Sequence, residues 1–219
     1  MQLTNKALAF TGLMALVAVT AIAYALETTQ PLHDYRFVAL FALALATSRL
    51  KIKLPGLNGN MSVDLPFILI AITQLGMFDA LLVALPACAA QCFPKRGGKP
   101  KAIQLIFNLS AMTVAVASAS LMGNRFAPLG VLAFFIAQTV PVAAIISLTE
   151  GGAVRNIWSG IARYSFPFYV LSAGIATMVA SAAPQLGWQT LLAVPVLFAI
   201  FRSYESYCKS PVLATASGD

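Results

Sequence analysis

The chain alternates long apolar runs with short polar or basic segments, and the run lengths predict its elements. Ala7 to Leu26 is a first span, bounded by Lys6 and Glu27. Phe37 to Ser48 is short for a hydrocarbon core about 30 Å thick, so it borrows interfacial residues such as Tyr35. Val63 to Met77 and Ala80 to Phe93, joined at Gly76-Met77-Phe78-Asp79, cover only about 22 Å each. They form a helical hairpin, full or re-entrant, whose two ends return to the same side. Ala102 to Met122, Ala127 to Leu148, Tyr164 to Ala183 and Trp188 to Phe201 complete eight apolar segments. Thr149-Glu150-Gly151-Gly152 opens a polar connector that holds Arg155, Trp158 and Arg163. The fold class is an all-α polytopic membrane bundle over residues 1–207 with a polar tail at 208–219. Six full spans plus a short hairpin is its variant form.

The segment around which these runs are arranged is Ser48 to Asp79. Arg49, Lys51 and Lys53 alternate with Leu50, Ile52 and Leu54, so an extended or interfacial backbone turns the cations to headgroups and the apolar side chains to lipid or protein. Pro55-Gly56 and Asn58-Gly59-Asn60 then force turns, and Pro66 suits the first turn of a helix.

Composition turns this pattern into a class. With 59% apolar and 10% charged residues, the chain is an integral membrane protein. The net charge of +7 is divided among loops rather than gathered in a patch, which excludes nucleic acid as the partner and makes the charge a topology signal. With the amino terminus inside and every run crossing, the inside segments hold Lys6; Arg49, Lys51, Lys53; Lys95, Arg96, Lys99, Lys101; Arg155, Arg163; Arg202 and Lys209, twelve of the 14 cations. Only Arg36 and Arg125 fall outside, so both termini are expected in the cytoplasm and the chain in a bacterial inner membrane. The first run also carries the small-x-small sites Ala21-Ile22-Ala23 and Ala23-Tyr24-Ala25 of a signal peptide; with a single Lys before it, an uncleaved anchor is expected.

Reactive chemistry is sparse. Asp64, Asp79 and Glu150 fall at or near run boundaries, so no carboxylate is placed at mid-membrane, where an ion relay needs one. The single histidine, His33, lies between spans. Cys88 and Cys92, at i,i+4 spacing, are two soft ligands without a third, and packing explains them better than a metal. Zinc-protease, phosphate-loop and nucleophile-elbow motifs are missing, so no catalytic residue, metal or cofactor is assigned and no enzyme is expected.

Uncharged polar residues on the spans remain. Gln138 falls near the middle of its run, where an unpaired amide costs several kcal/mol and calls for a partner helix, water or ligand. Gln104 and Asn108 share one helical face, beside a small-residue stripe Ala111, Ala115 and Ala119 suited to close helix contact. Gln74, Gln91, Tyr164 and Tyr169 add to a polar pocket if the fold gathers them, and Trp158 marks an interface belt. The expected site binds a small, largely apolar or uncharged ligand near Asn108 and Gln138. The loop from Asn58 through Asn60 to Asp64 closes its cytoplasmic mouth.

The strings SRLKIKLPGLNGNMSV, AAQCF, QLIFN, VPVAAIISLTEG with Trp158 seven residues after Gly151, and SFPFYV followed by FRSYESY together resemble the multi-pass amino-terminal region of acidobacterial signalling proteins. That region is akin to the MASE-type membrane-associated sensors, and covers nearly all of residues 7 to 207. In those chains a diguanylate cyclase (GGDEF) or HD-GYP phosphodiesterase domain follows. The resemblance implies a sensory module coupled to a cytoplasmic partner, here a detached sensor, a truncated one or a stand-alone relative, and it transfers no ligand residues. A basic segment ending in Leu-Pro, then a loop and Ser-Val-Asp-Leu-Pro-Phe, is also similar to the start of substrate-binding components of energy-coupling-factor vitamin transporters. Under either resemblance the Ala111-Ala115-Ala119 face is expected to be a homodimer or docking surface. An accessory subunit of a larger membrane complex is the third reading.

Overall fold

A computed structural model describes residues 5–28, 35–53, 60–93, 101–122 and 127–182, together with Ser203. Seven helices and one short strand pair make up these residues: α1 (Asn5–Thr28), α2 (Tyr35–Thr47), β1 (Lys51–Lys53), β2 (Asn60–Ser62), α3 (Leu65–Gln74), α4 (Met77–Cys92), α5 (Ala102–Met122), α6 (Ala127–Glu150) and α7 (Val154–Ala182). Helices α1 and α5 and, in α6, Pro128–Glu150 are long and apolar enough to cross a membrane. The last apolar run, Trp188 to Phe201, the basic loop 94–100, His33 and the tail lie outside the described residues, as do both chain ends on which the topology expectation rests.

The basic alternation at the organising segment does become extended backbone. Strand β1 pairs antiparallel with β2, Lys51 opposite Ser62 and Lys53 opposite Asn60. The ribbon is anchored at its open end, where Leu50 N–H bonds Thr47 O at 2.9 Å and Val63 N–H bonds Leu50 O at 3.2 Å. Helix α2 therefore passes directly into the ribbon, and the ribbon into α3.

Helix α3 is the centre of the bundle. Leu65 through Ala71 are all buried, without an exposed face, because the segment is apolar on every side and is packed by α2, α4 and α7. Its ten residues rise about 15 Å, half a hydrocarbon core, so α3 does not cross. Leu75 N–H closes it on Ala71 O at 2.8 Å, and extended backbone at Leu75 and Gly76 starts α4. Gln91, near the end of α4, bonds Asp64 at the start of α3, so the two open ends do return to the same place.

Helices α5 and α6 form the closest pair, and small residues make that contact. A Cβ at Gly130 would lie 3.3 Å from the Ala119 carbonyl oxygen. Ala111, Ala115 and Ala119 are buried within the chain, at 1%, 0% and 5% exposure. The stripe expected to serve as a dimer or docking face is thus consumed internally, because glycine and alanine let two helix backbones approach until nothing else fits. Helix α1 lays Ala7, Thr11, Met14 and Ala18 against this pair, with Phe10 meeting Phe107 at 6.2 Å.

The expected connector after Glu150 is a correction. Only Gly151 to Ala153 is irregular; Gly151 and Gly152 take φ of 85° and 93°, which lets α7 fold back along α6. Arg155 and Arg163 read as loop because they are polar, but with Ser159 they are the exposed face of α7, while Ile157, Trp158 and Ile161 face inward. Phe135 fills the α6–α7 seam, edge-on to Phe166 at 5.5 Å and to Tyr169 at 4.9 Å.

Candidate functional site

The polar groups of the bundle converge where the ribbon meets the hairpin. Asp64 occupies the N-cap position of α3 yet makes no side-chain cap. Pro66, in the first turn, has no N–H to offer, and the Asp64 main-chain carbonyl takes the N–H groups of Phe67 and Ile68 at 3.0 and 3.1 Å. The carboxylate is left to point elsewhere. It accepts the Gln91 Nε2 amide from α4 and its own main-chain N–H, and it lies within hydrogen-bond reach of the hydroxyl oxygen of Ser62, the last residue of β2. Ser62 also directs its hydroxyl to the Ser48 carbonyl at 3.0 Å, at the end of α2. Asp64 and Ser48 are buried, at 3% and 0% exposure.

Next to Gln91, Cys92 continues the network. Its thiol donates to the Cys88 carbonyl at 3.3 Å and accepts from Asn108 Nδ2 on α5 at 3.3 Å. A protonated thiol can do both at once. Asn108 is thereby tied to Asp64 through two consecutive residues of α4, and α2, β2, α3, α4 and α5 meet around one polar line. Cys88 on α4 and Tyr169 on α7 lie within electrostatic reach of the carboxylate. Burial pushes the Asp64 carboxyl up to about 6, and the donors from Ser62, Gln91 and the backbone pull against that rise without cancelling it.

Of the residues singled out in the sequence, Asp64 and Asn108 are brought into this network. Gln91 and Tyr169, named for a pocket, join them, whereas Gln74 sits about 15 Å along α3 at its other end, with Nε2 unpartnered. Gln138 does not share in it: its Oε1 is buried and, among the described residues, without a hydrogen-bond partner. Asn58 lies outside the described residues, and Asn60 is placed only as the β2 backbone opposite Lys53. Asp64 is buried against the hairpin. Asp79 is likewise buried, at 3% exposure, in the first turn of α4. Both stand at run ends as expected from the sequence, and the packed hairpin buries them there.

Trp158 makes internal contacts. Its indole N–H donates to Thr139 Oγ1 at 3.0 Å, and its ring lies 6.4 Å from Phe135. Among the described residues no group of three histidine, cysteine or acidic side chains is placed to hold a metal ion. No family model, curated protein or solved structure matches the chain.

Proposed function

We propose that the chain is a multi-pass inner-membrane module, both termini cytoplasmic, that senses or binds a small molecule and passes the event to a cytoplasmic partner. The observation that supports it is the polar line from Ser48 through Ser62, Asp64 and Gln91 to Cys92 and Asn108, set in an otherwise apolar body. Such a line costs stability where apolar side chains could pack instead, and it ties the basic ribbon to four helices. A change at any member is felt at the ribbon. The unpartnered oxygen of Gln138 supplies an acceptor for a donor-bearing, largely apolar ligand.

Native mass spectrometry of protein extracted from its membrane, with thermal stability across a metabolite panel, tests the reading. A retained small molecule, or one that stabilises wild type and not Gln138→Leu, supports it. No retained species and unchanged stability across the panel refute it.

A further inference from the structure

We propose that Asp64 is a proton-binding site, and that its protonation holds the open end of the α3–α4 hairpin closed against the ribbon and α5. Three observations carry this. The carboxyl is buried, at 3% exposure, in the turn between β2 and α3. Its partners are neutral: the Gln91 amide, the Ser62 hydroxyl and its own backbone N–H, with no cation among the described side chains that contact it. The groups it bonds are the ones that join elements: Ser62 to the end of α2, and Gln91 to the α4 turn that holds Asn108.

The titratable groups that face it are few. Helix α4 presents Cys88, and α7 presents Tyr169. Helices α3 and α5 carry no ionisable side chain, those of α2 (Tyr35 and Arg36) lie at its far end, and Arg49 is exposed. A neutral acid satisfies this setting, donating its O–H to the Ser62 oxygen, whose own proton goes to the Ser48 carbonyl, and accepting from Gln91 and the backbone N–H. An anion gives up that bond to Ser62, keeps lone pairs that the remaining donors do not fill, and is penalised by burial. Loss of the proton to water therefore draws water toward Asp64 and loosens Gln91 and Ser62. The carboxyl value near 6 agrees with a proton exchanged close to physiological pH.

That the proton is the sensed signal rests on the sensory reading above; the proton site does not. The test uses the full chain in lipid nanodiscs, with difference infrared spectroscopy of the carboxyl stretch across about pH 4 to 8. Wild type and Glu150→Gln should lose a protonated-carboxyl band with a midpoint near 6, and Asp64→Asn should lack it. If Asp64→Asn fails to fold, Gln91→Met serves instead. Removing a donor that favours the anion moves the midpoint upward by about one unit. Hydrogen exchange of the segments 60–64 and 88–93, corrected for its intrinsic pH dependence, should rise about tenfold across the same midpoint in wild type and stay low in Asp64→Asn. A midpoint in the ordinary aspartate range, a band unchanged in Asp64→Asn, or titration without any exchange response overturns the proposal. Protein that titrates but binds no metabolite refutes the small-molecule reading alone, and protein that binds one without titrating refutes the proton site alone.

Discussion

Replacing Asp64 by Asn should make the protein more stable at neutral pH and remove a pH dependence that wild type has. The group's ordinary value of 3.8 rises to about 6 on folding, so the folded chain holds the proton more tightly than the unfolded one. Below about pH 4 both states are protonated and the carboxyl costs nothing. As pH rises from about 4 through 6, the unfolded state ionises first and stability falls, reaching a constant penalty above 6. A shift of about two units corresponds to about 3 kcal/mol, at 1.36 kcal/mol per unit. Asn is nearly isosteric, keeps an oxygen for the Gln91 amide and never ionises, so the stability gap between variant and wild type should widen by about 3 kcal/mol between pH 4 and 7. At roughly 2–4 °C per kcal/mol for a chain of this size, that is about 6–12 °C in Tm. Thermal unfolding in one detergent, followed by intrinsic fluorescence across the pH range, measures it. Equal gaps at pH 4.5 and 7.5 would refute the reasoning, since a burial penalty on a charge cannot be independent of ionisation.

Three further substitutions probe the scaffold. Gly130→Val places a branched side chain where a Cβ alone comes within 3.3 Å of the Ala119 carbonyl; it should cost about 1–3 kcal/mol by forcing α5 from α6, with Gly130→Ala milder, as read by thermal unfolding. Phe67→Ala empties a site 1% exposed at the centre of the bundle and should cost about 3–5 kcal/mol, or abolish recovery of folded protein on size-exclusion chromatography. Trp158→Phe keeps most of the ring contact with Phe135 but deletes the indole donor to Thr139, so a loss of about 0.5–1.5 kcal/mol is expected. A loss several times larger would show that the aromatic seam, not the hydrogen bond, dominates there.

Much of the chain was legible as pattern. Helix α5 begins and ends where the apolar run does, because Lys101 precedes it, and the short α2 starts at the Tyr35 it was expected to borrow. The alternation Lys51-Ile52-Lys53 foretold extended backbone at β1, since a period of two suits only a strand. The candidate site was half legible. Asp64, Asn108 and Gln91 stood out as polar residues in or beside apolar runs, but the link from Gln91 to Asp64, and through Cys92 to Asn108, exists only through the hairpin that brings α4's end back to α3's start.

Run length and charge distribution determined by themselves that this is a helical membrane-type chain with a short hairpin at its middle. Both are local properties, counted along the backbone against a fixed rise per residue. Which faces meet protein and which meet lipid was decided only by the tertiary structure. A helix that is apolar all round gives no stripe to mark its buried side, and lipid is as good an apolar solvent as leucine. For that reason α3 could be read as a membrane run and yet be enclosed, the alanine stripe could be offered to a partner and yet be spent on α6, and Asp64 could stand at the end of a run and yet be buried. Close approach of backbones and the demand of a buried carboxyl for donors settle those outcomes, and both depend on residues far apart in the chain.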